Sequence, residues 1–264
     1  MRLLLLGATF TLLTACGPTF DDAVKLQENG QYTEAATAFE KLATDGDLAS
    51  MLKLIEWYDQ KEPAKSFEWR LKAANKGDAF SQAVVGWAHD KGNDLPQNLK
   101  KPATAFEMYQ KSAEQGLAAG QFYLGYAYDR GYGTPQDEKK ALDWYKKSAA
   151  QEDSNALFIL GNAISDGRLG LTANPITAIA YFCRAYRAGH DRAAPAIRAE
   201  WVNNILTPEY NQAVDNINSP QGVPGAYMYQ GQRNDLIRMA NRKKDNLEAA
   251  KSMGDEQIIK THCN

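Results

Sequence analysis

The chain has 264 residues, with 30 Lys plus Arg against 32 Asp plus Glu, a formal net charge of −2, and 44% hydrophobic against 23% charged side chains. That balance belongs to a folded body: it excludes long disorder and leaves no basic footprint for nucleic acid. No 18-residue apolar run occurs, which excludes a membrane-spanning helix, and three cysteines are too few for a disulfide scaffold and lack metal-ligand spacing.

The first element is apolar. Met1-Arg2 is followed by Leu3-Leu4-Leu5-Leu6, and the stretch runs to Ala15. As a helix it would be roughly 20 Å long at ~1.5 Å per residue, short of a ~30 Å hydrocarbon core. One positive charge, a short apolar region and small residues before a break are the parts of a secretory signal. The break reads Leu13-Thr14-Ala15-Cys16, which resembles the lipobox of bacterial lipoprotein precursors. The resemblance implies cleavage before Cys16, acyl chains on its sulfur and nitrogen, and, with Gly17 rather than Asp following, sorting to the outer membrane facing the periplasm. An ordinary signal beside an incidental cysteine is the plainer alternative. Several acyl chains on one residue meet the requirement for lasting attachment.

Without residues 1–15 the charge becomes −3, because Arg2 is the one charged residue removed. Cys183 and Cys263 would then meet an oxidising compartment, where they either form a bridge or remain two thiols. The reading leans to the bridge, worth roughly 4–5 kcal/mol at most in the chain-entropy picture for a loop of this length.

A repeat follows. Gly125-Tyr126-Ala127-Tyr128 precedes Ala141-Leu142-Asp143-Trp144-Tyr145-Lys146-Lys147-Ser148-Ala149. The pattern stands upstream as Gly86-Trp87-Ala88-His89 with Ala105 to Ala113, and downstream as Gly161-Asn162-Ala163-Ile164 with Ala178 to Ala185. A degenerate first copy has Ile55-Glu56-Trp57-Tyr58, then Ser66 to Ala74. Ser66, Ala105, Ala141 and Ala178 are 39, 36 and 37 positions apart. Each copy reads as two helices with apolar stripes at helical spacing. Pro63, Pro102 and Pro175 suit the first turn of the second helix, with Asp137 and Asn174 as N-caps and Glu62 and Lys101 as poor ones. Gly77, Gly116 and Gly189 stand where C′ glycines would. Gly86, Gly125 and Gly161 lie inside helices, at a cost offset by close helix approach.

These copies resemble Sel-one-like repeats, relatives of the tetratricopeptide repeat, most fully over residues 119–153 with the loop Gly131-Tyr132-Gly133-Thr134-Pro135-Gln136-Asp137. Gly30-Gln31-Tyr32-Thr33-Glu34-Ala35-Ala36 resembles a tetratricopeptide turn and second helix. The resemblance implies an all-α, right-handed α-solenoid of helix-turn-helix repeats. The organisation expected is a lipoprotein signal at 1–15, a half-repeat at 16–48, four repeats at 49–193 and a helical cap at 194–264. In the cap, Thr207-Pro208-Glu209 reads as a helix start with Thr207 as N-cap, 219–225 as a loop, and Asn234 to Ser252 as a basic helix.

Chemistry is sparse. No Gly-x-Ser-x-Gly, Walker or His-Glu-x-x-His pattern is present, and Gly131-Tyr132-Gly133 lacks the strand and third glycine of a dinucleotide turn. His89 falls in register with Tyr58 and Tyr128 and reads as packing; His190 follows a helix stop and reads as solvated; His262 adjoins Cys263 without a second ligand pair. No catalytic group, metal or cofactor is assigned. Residues 20–62 carry ten acidic and four basic side chains, whereas 233–251 carry six basic and three acidic. Tyr109, Tyr123, Tyr126 and Tyr128 are the candidates for a concave binding face.

The function these features imply is a lipid-anchored periplasmic adaptor that binds another protein, with no nucleic acid. Within the resembled family such proteins include exopolysaccharide-export scaffolds and immunity proteins against secreted toxins. Weak β-lactam binding or hydrolysis, implied by some secreted relatives, and polysaccharide binding by exposed aromatics are the alternatives.

Overall fold

The computed structural model describes residues 17–91, 100–209, 211–212 and 230–263, with backbone alone for 230–237. Every regular element among them is helical, thirteen α-helices and one π-helix with further helical residues at 207–209 and 211–212, and none is a strand. None is long and apolar enough to cross a membrane. The described residues divide into two compact units, parted between Lys100 and Lys101.

In the first unit, α1 (Phe20–Glu28), α2 (Tyr32–Thr44), α3 (Leu48–Tyr58), α4 (Pro63–Asn75) and α5 (Ala79–Lys91) each pack on the next in sequence. Thr19 starts α1 with a capping box: its hydroxyl oxygen accepts the Asp22 N–H at 3.2 Å, and the Asp22 carboxylate accepts the Thr19 N–H at 3.0 Å. Asp47 caps α3 by accepting the Ser50 N–H at 2.8 Å. Ala35, Phe39, Leu54, Ile55, Trp69 and Ala73 make the centre of one apolar core. Small residues at Ala35 and Ala73 keep the helix axes close.

The second unit runs through α6 (Pro102–Glu114), α7 (Ala118–Arg130), α8 (Glu138–Ala149), α9 (Ser154–Asp166) and α10 (Pro175–Arg187), again packed in sequence. Pro102 and Pro175 occupy the first helical turn, as does Pro63 in α4. Asp137 accepts the Lys140 N–H and Asn174 the Thr177 N–H, both at 2.9 Å, while Glu62 and Lys101 make no side-chain cap. Gly77, Gly116 and Gly189 lie just past helix ends with positive φ, as the spacing predicts.

Two glycines are fixed by contact. A Cβ on Gly161 would stand 2.5 Å from the Phe182 ring, so α9 and α10 meet only because no side chain separates them. Gly133 has φ +73°, and a Cβ there would lie 2.1 Å from the Pro102 carbonyl oxygen, which lets the loop after α7 lie on the start of α6. Around these approaches Tyr145, Leu157, Leu160, Phe182 and Ile197 are buried in one core.

Beyond the repeats come α11 (Ala193–Ala199), a π-helix (Glu200–Leu206), α12 (Gln230–Ser252) and α13 (Asp255–His262). α-Helical backbone does begin at Thr207, but Thr207 is not its N-cap. It ends the π-helix with φ −65° and ψ −48°, its N–H bonds the Val202 carbonyl, and its hydroxyl donates to that same oxygen at 2.7 Å. Because the chain is already helical, Pro208 continues a wound backbone instead of opening a new one. The loop read at 219–225 lies outside the described residues. The basic helix begins earlier than its pattern implied, at Gln230. It packs on the π-helix through Leu247 and Ala250 against Val202.

Candidate interaction surfaces

The four tyrosines separate. Tyr109 is fully buried and stacks on Tyr123 with centroids 5.0 Å apart and planes 14° from parallel, so it belongs to the packing of α6 on α7 and displays nothing. Tyr123, Tyr126 and Tyr128 are half-exposed along α7. Tyr128 meets Phe106 edge-on at 5.4 Å, with the Lys140 ammonium 5.2 Å above its ring. Tyr123 and Tyr126, one turn apart, share a partly wet face of α7, whereas Tyr128 lies about 160° around the helix from Tyr126, on the side of the buried Gln121, Leu124 and Gly125. Sequence pattern failed to separate them from Tyr109 because all four satisfy the same helical periodicity.

Behind that face is a polar link that the pattern search missed. The buried Tyr145 hydroxyl donates to Asp129 at 3.4 Å, and Arg168 donates to the other carboxylate oxygen at 3.2 Å. Burial, with the Asp129 carboxylate beside it, pushes the Tyr145 phenol far above its ordinary range, so it remains a donor. Asp129 is 5% exposed and joins α7, α8 and the turn after α9. A signal for it exists: Asp59, Asp90 and Asp129 all stand four residues after the position held by Ile55, Gly86 and Gly125. After Gly161 the corresponding residue is Ser165, and the carboxylate comes instead from the buried Glu200 of the π-helix, which accepts the Ser165 hydroxyl at 2.6 Å.

A second device recurs on the other face of the second helices. Lys72 stands over Trp69 at 3.8 Å and Lys147 over Trp144 at 3.7 Å, each three residues on. Arg184 takes the place over Tyr181 at 5.6 Å. The cation covers an aromatic face while its head stays wet.

In the first unit Lys65 lies 2.6 Å from Glu40 and donates to the Tyr58 hydroxyl at 2.9 Å, which itself donates to Glu40 at 2.8 Å. The Lys65 bond holds the Glu40 carboxyl below its usual range, and burial raises the Tyr58 phenol. Nearby, Tyr32 meets Trp57 edge-on at 6.1 Å, and the two line a notch of about 290 Å³ with Gln27 and Lys61.

The histidines pack. His89 is buried within α5. His190 is 7% exposed and stacks on Phe158 at 4.1 Å with planes 12° apart, where solvation was expected. The turn after α10 folds back over α9 and presses the ring onto Phe158. Burial lowers its pKa, helped by the nearby Arg192 guanidinium. His262 meets Trp201 edge-on at 4.2 Å, and burial lowers its pKa too. Among the described residues no His, Cys, Asp or Glu group is arranged to hold a metal.

Cys183 and Cys263 are at disulfide distance, with Sγ atoms 2.03 Å and Cα atoms 5.2 Å apart across a separation of 80 residues. Arg187 donates to the Cys263 carbonyl, and Arg198 pairs with Asp255 at 2.5 Å. The end of α13 is thereby fastened to α10 and α11. Cys16 lies outside the described residues.

The family model of the Sel1 repeat matches residues 56–78, 79–117, 118–153 and 154–190. The chain belongs to the Sel1 repeat family. Its Sel1 matches span half the chain; the first is partial and begins inside α3, and α1 and α2 precede them. Two solved structures share the fold. A Sel1 repeat protein from Oxalobacter formigenes is 22% identical, with a TM-score of 0.57, covering 85% of this chain and 99% of that one. The protein c5321, a protective antigen of uropathogenic Escherichia coli strains with an SLR fold, is 23% identical at a TM-score of 0.57. That alignment covers 82% of this chain and about half of c5321, 51%. No curated protein matches the sequence. Sel1 repeats commonly serve protein–protein interaction.

Proposed function

We propose that this chain is a lipid-anchored periplasmic adaptor whose Sel1 repeats bind a protein partner. The observation that carries the binding part is the pair of partly exposed tyrosines one turn apart on α7, Tyr123 and Tyr126, on a helix that Asp129, Tyr145 and Arg168 tie to its neighbours. Rigid aromatics offer contact area at little entropic cost, which suits a protein interface. The location rests on Leu13-Thr14-Ala15-Cys16 and is supported by Cys183 and Cys263 at bonding distance, an arrangement at home in an oxidising compartment.

Crosslinked affinity purification from membranes tests the binding: one dominant protein is expected with the intact chain, and its loss with Tyr123→Ala/Tyr126→Ala. An empty purification beside saturable sugar binding overturns it and favours polysaccharide recognition, for which the Tyr32–Trp57 notch with Gln27 and Lys61 is a candidate site. For the anchor, Cys16→Ser should move the protein out of the membrane fraction; retention refutes it. The partner belongs to toxin immunity if deletion of the gene makes cells sensitive to their siblings, and to export assembly if exopolysaccharide release fails instead.

A further inference from the structure

An apolar groove of about 660 Å³ opens between α1 and α2. Leu26 of α1 and Ala38 of α2 form its floor, the methyl-bearing Thr33 and Thr37 its exposed lip, and Gly17 and Pro18 its end. Lys41 stands at that end, its ammonium 3.5 Å from where a Gly17 Cβ would be. Glu34 is the other charged lining residue. Nothing in the repeats calls for such a groove. Its position, however, is specific: it terminates one peptide unit, about 3.8 Å along the chain, from Cys16.

We propose that the groove between α1 and α2 receives one acyl chain of the lipid carried by Cys16. The proposal rests on the lipoprotein reading above. Three features favour this occupant over a diffusing ligand. The attachment point is the residue preceding the groove's end, so the local concentration of the chain is high without any affinity for free lipid. The volume lies within the range of about 300–1,000 Å³ of small-molecule sites, enough for one chain and not for the several a lipoprotein carries. Lys41 at the mouth offers its ammonium to the ester carbonyls that join the acyl chains to the glyceryl group. The chains left outside still satisfy the multiple-anchor requirement, so the protein remains membrane-bound. Seating one chain beside α1 and α2 holds this end of the first unit against the bilayer surface, in place of a free tether.

The test uses the full lipoprotein made in cells fed a diazirine-bearing fatty acid, with intact-mass analysis to read the acyl groups on Cys16. After irradiation in membranes, adducts are expected on the peptides carrying Leu26 and Thr33–Lys41. Thr33→Glu/Thr37→Glu places charge on the exposed lip and should lower those adducts about tenfold, since a seated acyl chain would strip water from the carboxylates. Thr33→Val/Thr37→Val should keep them, and circular dichroism should show the same helix content in all three. An acylated Cys16 with adducts on lipid alone, or adducts unchanged by the glutamates, overturns the groove assignment. A Cys16 without acyl mass overturns both that assignment and the lipoprotein reading.

Discussion

Between α7 and α10 adjacent helices approach through glycine, and aromatic rings fill what the glycine leaves open: Tyr145 against Gly125, Phe182 against Gly161. Among the described residues from Ala193 to Cys263 no glycine makes such an approach. Ala193, Ile197, Ile258 and Cys263 reach the repeat core, and Val202, Leu247 and Ala250 make a small second cluster. Cys183–Cys263, Arg198–Asp255, Arg187 to the Cys263 carbonyl and Ser165–Glu200 take over. A repeat buries its neighbour's face by construction, whereas the residues after Arg192 are held in large part by covalent and ionic ties.

Phe182→Ala should hurt most, by about 3–5 kcal/mol in denaturant unfolding, because it empties the space that Gly161 opens and Phe158 lines. A loss under 1 kcal/mol would show that the repeat core is not organised around that ring. Cys183→Ser/Cys263→Ser should cost about 2–5 kcal/mol, confined to the terminal segment. In deuterium exchange α13 should then lose protection while α8 and α9 keep theirs; equal loss in α9 would erase the contrast between the regions. Gly161→Ala should destabilise by about 1–3 kcal/mol through overpacking, and Phe182→Leu in the same chain should recover part of it. Simple additivity of the two would mean that the contact is not shared.

Acid should act first where His190 packs on α9 and His262 on Trp201 of the π-helix. The pKa values of His190 and His262 are lowered by burial, so the unfolded chain takes up protons that the folded chain refuses. Their contribution is intact above the ordinary histidine value of about 6.5 and declines as pH falls below it, toward the lowered folded values. Denaturation midpoints between pH 8 and pH 5 should show this decline, and His190→Phe should flatten it. The smallest effect is expected from Lys65→Ala in the first unit: its side chain is 38% exposed and that of Glu40 36%, so less than about 1 kcal/mol is at stake.

Much of the repeat architecture could be read from residues alone. Pro63, Pro102 and Pro175, the caps Asp137 and Asn174, and the glycines after α4, α6 and α10 are local signals whose physics does not depend on what packs nearby. Tyr109 and Tyr126 differ only in which helix face lies inside a neighbouring pair, information that a period of 3.6 residues does not contain. His190 was misread for the same reason: a residue after a glycine stop is solvated unless the turn folds back, and Phe158 is more than thirty positions away. Thr207 failed because Thr-Pro looks alike at a helix start and inside a π-to-α continuation. The Asp129 link was legible only as a recurrence, since its partners Tyr145 and Arg168 come from different repeats.

Binding is the central claim, and site-specific photocrosslinking tests it most directly. Benzoylphenylalanine placed at Tyr126, on the half-exposed face of α7, is compared with the same residue at Met239 on α12, half-exposed at 50%. The account predicts one dominant protein adduct from position 126 and little from 239. Adducts from 239 with none from 126 would contradict it, moving the interface from the Sel1 repeats to the terminal segment.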